Sequence, residues 1–247
     1  MEIKIKNIQK LKKIIEVVSD LIAEGTFVFK KGYLELVALS SNNVIMVIFK
    51  FLSKNFIDYK IKEDVIISLS IQNLYTVLKS CDENLDLKFI IIDNKLKIIS
   101  GDNKNNRKEF ELTLIEFSDE NLQKIPKLNF SLKIVSESQI FTKALNDLAF
   151  IEDGVTFKAD KKNFSLAGKS SDISGKIDLQ DKVKIENKDN KDYYGSYSME
   201  YLKKFTKCDK IVKDVEIEFG QEYPLKIDYK EEDSFVLSFI IAPRNKD

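Results

Sequence analysis

The chain has 247 residues, of which 40 are Lys or Arg and 40 are Asp or Glu, so its formal net charge is zero and any attraction to phosphate must come from local charge distribution. It contains no histidine, which excludes Ser-His-Asp and Cys-His catalysis and removes the commonest metal ligand. No apolar run approaches the roughly 18 residues of a membrane span, and Cys81 and Cys208 form no CxxC pair, as expected for a reducing cytosol or nucleus.

Four segments with helical spacing alternate with strand-like segments along the chain. The helices are predicted at Ile8–Ala23, Ile71–Cys81, Gln139–Phe150 and Met199–Cys208. Runs of β-branched and aromatic residues lie between them, separated by short turns. The clearest predicted strands are Thr26–Lys30, Tyr33–Leu39, Asn43–Phe49 and Glu109–Leu114. This succession of strands and helices predicts an α+β fold.

The two halves of the chain have related sequences. The second helix lies in SLSIQNLYTVLK, which begins at Ser68, and the fourth in SYSMEYLKKFTK, which begins at Ser196; the offset is 196 − 68 = 128 residues. The end of the first helix lies in SDLIAEGTFVF, which begins at Ser19, and the end of the third lies in NDLAFIEDGVTF, which begins at Asn146. The offset between these runs is 146 − 19 = 127 residues, and one inserted residue brings the strand that follows back to an offset of 128. Both pairs fall into register with one shift, which predicts an internal duplication of a unit with strands and two helices.

Each predicted helix has an apolar face and an opposite polar face that carries lysine. In the first helix the polar face includes Lys12 and Lys13, and in the fourth it includes Lys203, Lys204 and Lys207. A single face of this kind is usually an ordinary solvated surface. Duplication gathers the four outer faces on one side, which favours a local basic surface on a neutral protein.

The C-terminal run FGQEYPLKIDYKEEDSFVLSFIIAPRN resembles the end of the proliferating cell nuclear antigen family, the DNA sliding clamps of archaea and eukaryotes. Its Pro224-Leu225 and Ile241-Ala242-Pro243-Arg244 match the family pattern. The run LKKIIEVVSDLIAE resembles the family's first helix, LELVALSSNNV its following strand and loop, EYLKKFTK its last helix, and NLQKIPKL its interdomain connector loop. The resemblance covers essentially the full length. The acidic terminal extension of eukaryotic members is absent, so we expect a member of the archaeal type.

The resemblance implies the DNA-clamp fold, with clamp domains at 1–117 and 129–247 joined by a connector at 118–128. Three such chains would close into a ring with helices around the hole and sheets outside. Double-stranded DNA would thread the hole, drawn by a salt-sensitive attraction that is independent of base sequence. The implied DNA-channel residues are Lys12, Lys13, Lys79, Lys143, Lys203, Lys204 and Lys207. No catalytic residue, metal or cofactor is implied, so the expected role is a processivity factor and not an enzyme.

The resemblance also implies two protein-binding sites. At the subunit interface, the strand at Lys108–Ile115 would pair with the strand at Ile173–Leu179 of a neighbour. Its apolar contacts would come from Phe110, Leu112, Leu114 and Ile177. Client proteins would insert a short peptide with a Gln and apolar or aromatic anchors into a pocket under the connector. The matching positions are Leu39, Val44, Met46, Ile125, Pro126, Pro224, Ile240 and Ala242. For any one of the interface residues, and for Val44, Met46 and Ile240, ordinary strand core is the alternative interpretation.

The implied partners are two further clamp subunits, identical or paralogous, and a clamp loader of replication factor C type. DNA polymerase, flap endonuclease and DNA ligase would bind through short peptide motifs, in an archaeal cytoplasm at the nucleoid. Ser40-Ser41-Asn42-Asn43 and Asn245 depart from the family pattern, which fits a specialised paralogue, so homotrimer and heterotrimer both stay open. The alternative functions are a paralogous ring subunit that acts as a checkpoint or repair scaffold, and a carboxylate-dependent metal nuclease.

Overall fold

The computed structural model describes residues 1–101, 106–116, 118, 122–151 and 153–244. The chain forms two compact units. The first comprises Met1–Asn43, Val47–Ile125 and Glu231–Leu237, and the second comprises Val44–Met46, Pro126–Lys230 and Ser238–Asp247.

The first unit contains two antiparallel groups of strands and two helices. Its elements, in chain order, are β1 (Glu2–Ile5), α1 (Gln9–Ser19), β2 (Glu24–Lys30), β3 (Tyr33–Leu39), β4 (Ile45–Leu52), β5 (Phe56–Tyr59), β6 (Val65–Ser70), α2 (Ile71–Ser80), β7 (Leu87–Ile92), β8 (Lys95–Ser100) and β9 (Lys108–Thr113). Neighbouring strands follow the orders β5-β1-β7-β8-β9 and β4-β3-β2-β6. Gly32, with φ +91°, makes the tight turn between β2 and β3, a conformation that glycine adopts readily.

The second unit has the same composition. Its elements are β10 (Leu132–Glu137), α3 (Ser138–Leu148), β11 (Gly154–Ala159), β12 (Phe164–Lys169), β13 (Ser174–Asp178), β14 (Val183–Asn187), β15 (Tyr193–Ser198), α4 (Met199–Phe205), β16 (Asp214–Glu218), β17 (Leu225–Glu231) and β18 (Phe235–Ile241). A 3₁₀ turn at Thr206–Lys210 extends α4. Neighbouring strands follow the orders β14-β10-β16-β17-β18 and β13-β12-β11-β15. The bounds of the units divide three strands, because Ile45 and Met46 of β4 belong to the second unit, and Glu231 of β17 and Phe235–Leu237 of β18 belong to the first.

The strand orders of the two units are the same once nine is added to each strand number of the first unit. The helices correspond too, with α1 matching α3 and α2 matching α4. The predicted α+β fold class and the predicted duplication are therefore confirmed.

The predicted helix boundaries are wrong at three C-terminal ends. The first helix stops at Ser19 and not at Ala23, because the Ser19 hydroxyl donates to the Glu16 carbonyl and the amides of Leu21 and Ile22 both turn back to Val18. Ile22 is buried in that turn, so it continues the apolar pattern without continuing the helix.

The third helix stops at Leu148, two residues before the predicted end at Phe150. The fourth is α-helical only to Phe205 and continues to Lys210 as a 3₁₀ turn. Helix ends commonly tighten into such turns, which sequence periodicity does not resolve.

Apolar side chains from the helices and strands form the core of each unit. In the second unit Phe157 lies at the centre of an aromatic cluster with ring centroids 5.4–6.1 Å apart. Its partners are Phe141, Phe164, Tyr197 and Phe219. In the first unit Gly25 brings β2 close to α2, since a Cβ there would lie 2.7 Å from Ile71 Cδ1. Packing of this kind fixes the helices on their sheets and leaves their polar faces outward.

Candidate functional site

In the first unit α1 and α2 pack together and place three predicted channel lysines on their polar faces. Lys79 is exposed, and Lys13 is half-buried. Lys12 Nζ donates to the Cys81 carbonyl at 3.4 Å, so it interacts with the C-terminal end of α2. Lys108 Nζ reaches the Ser80 carbonyl at 2.7 Å at the same end. Cations at a helix C-terminus are favourable, so Lys12 has a structural role in addition to its charge.

In the second unit α3 packs against α4 and its 3₁₀ extension. Lys143, Lys203 and Lys207 are exposed there. Lys204 is half-buried, pairs with Glu200 at 3.2 Å, and lies 5.4 Å from the centre of the Tyr201 ring. The charge of Lys204 is therefore partly compensated within its own helix, whereas Lys203 extends away from it.

Several lysines on the sheets have carboxylate partners on neighbouring strands. In the five-stranded group of the first unit, Lys88 pairs with Glu2 at 2.6 Å and Lys97 with Glu109 at 2.6 Å. In the second unit the Glu216 carboxylate pairs with Lys133 at 2.9 Å and with Lys230 at 2.6 Å. Burial would raise the pKa of Glu216, but these hydrogen bonds lower it below its ordinary value.

Four of the predicted channel lysines have neither an ion-pair partner nor a side-chain hydrogen bond among the described residues. They are Lys13, Lys79, Lys143 and Lys203. These four ammonium groups therefore place uncompensated positive charge on the helix faces of a chain whose net charge is zero.

Both strands predicted at the subunit interface lie at the end of a strand order. The strand β9 ends the order β5-β1-β7-β8-β9, and β13 ends the order β13-β12-β11-β15. Along and just beyond β9, half-buried Phe110, Leu112 and Leu114 alternate with exposed residues, and Ile177 is half-buried in β13. All four therefore lie on partly open apolar faces at sheet edges, which natural proteins usually cover.

Two further apolar residues near β13 are exposed and were not among the predicted interface residues. Phe150 is 74% exposed just after α3, and Ile173 is 49% exposed just before β13. The sequence does carry a signal for Phe150, because it is off the apolar stripe formed by Phe141, Leu145 and Leu148. A large aromatic residue on the polar side of a helix end is a candidate contact residue.

The predicted peptide pocket has members in both units. In the second unit the Ala242 amide donates to the Val44 carbonyl at 3.0 Å, which brings these two positions together. Met46 and Ile240 are each only 8% exposed. The remaining members of this unit are half-buried Pro224 and exposed Pro126.

In the first unit Ile125 is 45% exposed and Leu39 is half-buried. Leu39 lines a cleft of about 340 Å³ together with Gln123, Ser40 and the hydrogen-bonded pair Thr26 and Ser68. Ile125 does not line this cleft, but its exposed side chain is available to an apolar anchor of a partner.

Two family models match the chain. The model of the proliferating cell nuclear antigen N-terminal domain matches residues 1–122, and that of the C-terminal domain matches residues 124–244. The chain belongs to the proliferating cell nuclear antigen family. The resemblance inferred from the sequence is therefore confirmed.

Curated relatives match the chain over nearly its whole length. The DNA polymerase sliding clamp of Nanoarchaeum equitans is 29% identical over 254 residues, which cover 99% of this chain and 100% of that protein. The DNA polymerase sliding clamp of Nitrosopumilus maritimus is 27% identical and covers 95% and 94%. The proliferating cell nuclear antigen of Chaetomium thermophilum is 22% identical and covers 99% and 98%.

Within this member of the proliferating cell nuclear antigen family, the loop that departs from the family pattern forms a defined turn. The Ser40 hydroxyl donates to Asn42 Oδ1 at 2.7 Å, the Asn43 amide donates to the Ser40 carbonyl at 2.8 Å, and Asn43 has φ +58°. Asparagine tolerates this left-handed conformation better than most residues. The other departure, Asn245, lies outside the described residues.

Both cysteines of this family member are buried. Burial raises the pKa of the Cys81 thiol, and burial together with the Asp209 charge raises that of Cys208 well above its ordinary value. Both thiols therefore stay protonated and have the character of small core residues. Among the described residues no group of three or more His, Cys, Asp or Glu side chains is arranged to hold a metal ion, and no helix is long and apolar enough to cross a membrane.

Proposed function

We propose that the chain works as a DNA polymerase sliding clamp, a ring of three clamp subunits that encircles double-stranded DNA. The observation that carries the proposal is the match of both halves of the chain to the two domains of one family of clamps. A clamp of this family is a topological tether and not an enzyme. It keeps a DNA polymerase at the primer end and thereby raises processivity.

The basic helix faces support the proposed DNA channel. Lys13, Lys79, Lys143 and Lys203 have no carboxylate to neutralise them among the described residues, so they offer full charges to phosphate. Long, mobile lysine side chains attract the backbone without reading base edges. Such contacts hold the ring on any sequence and let it slide, because every register is equivalent. Lys12, Lys204 and Lys207 complete the proposed channel, with Lys12 and Lys204 contributing less because of their partners within the chain.

Ring closure is proposed to pair β9 of one subunit with β13 of the next. The apolar contacts would come from Phe110, Leu112 and Leu114 on one side and from Ile177 on the other. The exposed Phe150 and Ile173 beside β13 add apolar area to that second side. Covering both edges would remove exposed strand ends and apolar side chains from water at the same time.

Client proteins are proposed to bind at the connector, taken as 118–128 between clamp domains 1–117 and 129–247. Exposed Ile125 and Pro126 would contact the apolar anchors of a client peptide, with Leu39 near the cleft in the first unit. In the second unit the contacting residues would be Val44, Met46, Pro224, Ile240 and Ala242. The proposed clients are DNA polymerase, flap endonuclease and DNA ligase. The ring would be loaded by an ATP-driven complex of replication factor C type, in a cytoplasm where the DNA is accessible.

Retention on circular DNA tests the proposed encirclement directly. The purified chain is loaded on nicked circular DNA with a replication factor C type loader and ATP, and is separated from free protein by gel filtration. We expect the clamp to stay with the circle and to leave once a restriction enzyme linearises it, because a ring slides off an end. A clamp that stays equally on linear DNA, or never elutes with the circle, would contradict the ring.

Client binding separates a replicative clamp from a checkpoint or repair scaffold of the same fold. A replicative clamp should bind the Gln-and-aromatic peptides of polymerase and flap endonuclease and stimulate DNA synthesis. A ring that is retained on circular DNA but binds neither peptide would favour the scaffold.

A further inference from the structure

The strand β14 is an open edge of the second unit. It ends the order β14-β10-β16-β17-β18, so only one of its two sides has a partner strand. The Lys188 amide donates to the Ser131 carbonyl in continuation of the β10–β14 register, which fixes the alternation of hydrogen-bonded positions along this pair. The residues of β14 whose amides and carbonyls point away from β10 are Val183, Ile185 and Asn187.

These outward-pointing backbone groups are available to another strand. Among the described residues, Val183, Ile185 and Asn187 make no backbone hydrogen bond on that side of β14. Their side chains are half-buried, whereas the side chains of Lys184 and Glu186 are exposed. An open strand edge is a template for pairing with another chain, and natural proteins usually protect such an edge.

The corresponding edge of the first unit is protected by its irregularity. The strand β5, which corresponds to β14, has four residues, and its register with β1 shifts between Lys4 and Ile5. A shift of this kind twists an edge away from other strands. The strand β14 has five residues and pairs with β10 without any shift. The protection that β14 carries is therefore the charge of Lys184 and Glu186.

This pair of charges repels most registers but fits a second copy of the same strand. In an antiparallel pair centred on Ile185, Lys184 of each chain lies opposite Glu186 of the other. A pair centred on Lys184 would oppose two lysines, and one centred on Glu186 would oppose two glutamates. Neither residue has an ion-pair partner among the described residues, because Lys133, which lies opposite Glu186 on β10, pairs with Glu216.

We propose that β14 pairs with β14 of a second copy of this chain, antiparallel and centred on Ile185. The backbone agrees with the charges, because Ile185 points its amide and carbonyl outward and would exchange two hydrogen bonds with Ile185 of the second chain. Val183 and Asn187 would do the same in two further pairs, which gives about six hydrogen bonds in all. The contact uses neither β9 nor β13, so it joins two chains whether or not each belongs to a ring.

The contact is small and should be weak. One strand of five residues covers less than the roughly 1,200 Å² of a stable interface, so we expect association only at high local concentration. Just beyond the strand, Lys182 would approach Lys188 of the second chain, and salt would screen this repulsion. Lys182 lies in a 3₁₀ turn and Lys188 in a bend, where the strand has ended, and Asp181 and Asp189 adjoin them.

Disulfide exchange between two variants tests the pairing and its register. Positions 184 and 186 of two chains would form a non-hydrogen-bonded pair with Cα atoms about 4.5 Å apart, a distance that a disulfide bridges. Full-length Lys184→Cys and Glu186→Cys proteins are mixed in a glutathione redox buffer, and covalent dimers are measured on a non-reducing gel. We expect at least about fivefold more dimer in the mixture than in either protein alone, because only the mixture places two thiols opposite each other.

Two controls accompany the disulfide experiment. A mixture of Lys161→Cys and Glu186→Cys reports random collision, because Lys161 is exposed in the β11–β12 turn and lies outside β14. The unmodified chain reports the native thiols of Cys81 and Cys208, which are buried and should exchange slowly. Both controls should give no more dimer than the separate variants.

Charge reversal gives a second measurement that needs no cysteine. Lys184→Glu and Glu186→Lys each place like charges opposite each other, so each should lose the concentration-dependent association that sedimentation shows for the unmodified chain. A mixture of these two variants places opposite charges across the contact again and should regain it. A mixture of Lys161→Glu and Glu186→Lys has the same net charges and should not. Thermal melting checks that each variant is folded.

The proposal would be overturned by equal dimer yields in the mixed cysteine variants and in either variant alone. It would also be overturned if the mixture with Lys161→Cys gave as much dimer as the mixture with Lys184→Cys. Association that survives both charge reversals, or that their mixture fails to regain, would overturn it as well.

Discussion

Removing the four lysines that have neither an ion pair nor a side-chain hydrogen bond among the described residues tests the proposed DNA channel most directly. The variant combines Lys13→Ala, Lys79→Ala, Lys143→Ala and Lys203→Ala. Each lysine that neutralises a phosphate contributes about 0.9 to the slope of log K against log salt, so four contacts made by one subunit give about 3.6. We expect the magnitude of the slope to fall by about 2 to 4. Between 50 and 200 mM salt, a slope of 3.6 corresponds to an affinity change of roughly 150-fold, which the variant would largely lose.

The assay is fluorescence anisotropy of a short linear duplex, onto which a closed ring threads from the ends, across a salt series. The control variant replaces four exposed lysines outside the helices and therefore has the same net charge. They are Lys31, Lys62, Lys161 and Lys162. Because total charge is matched, only position differs between the two proteins. An equal reduction of the slope in both variants would show that overall charge and not the helix surface attracts the DNA. An unchanged slope in the helix variant would refute the channel assignment.

Three other predictions concern stability, assembly and clients. Glu35→Gln should lower the free energy of unfolding by about 2 kcal/mol at neutral pH, because it leaves Lys30 and Lys50 without a carboxylate. The pKa of Glu35 is lowered in the folded state. Its contribution to the free energy of unfolding is therefore present above its ordinary pKa of 4.5 and is lost as the pH falls through the folded pKa. Denaturant titrations of the Glu35→Gln protein and of the unmodified chain should thus give the same free energy of unfolding in acid. Phe150→Glu should shift the mass in light scattering from about three chains toward one, since it puts a charge in the proposed interface. The control is Ile57→Glu, at a 52% exposed position on β5 of the first unit, which is not part of the proposed interface. Ile125→Ser should weaken client peptides about tenfold by removing an apolar contact and leave the assembly mass unchanged.

Each of these three has an outcome that contradicts it. The Glu35 carboxylate would not be the source of the pH dependence if the Glu35→Gln protein and the unmodified chain differed in stability by the same amount from neutral pH to strong acid. A trimer that survives Phe150→Glu as well as Ile57→Glu would remove Phe150 from the interface. Dissociation of the assembly by Ile125→Ser would place that residue between subunits instead of under a client peptide.

The charge of this protein is expected to stay nearly constant around neutral pH. The described carboxylates with shifted pKa values are shifted downward, and the described lysines with shifted values are shifted upward, as for Glu216 and Lys133. None of these groups changes charge near neutral pH, and the chain has no imidazole to do so. DNA affinity should therefore depend strongly on salt and hardly at all on pH between about 6 and 8.

The amino-acid sequence by itself determined the duplication, the α+β class, the family and the identity of the polar helix faces. These features are local or repetitive. Helical periodicity assigns a residue such as Lys143 to the outside of its helix without knowledge of any other element, and a repeat at a fixed offset is visible directly in the letters. The ends of the helices were less well determined, since Ile22 is apolar and buried whether or not the helix includes it.

The tertiary structure alone decided which lysine side chains have partners. Lys12 and Lys13 are adjacent in sequence, yet Lys12 donates to the Cys81 carbonyl at the end of α2, whereas Lys13 has no side-chain hydrogen bond or ion pair among the described residues. Ion pairs depend on which side chains meet across strands and helices, and that is set by long-range register and packing, to which the local pattern of the sequence is blind.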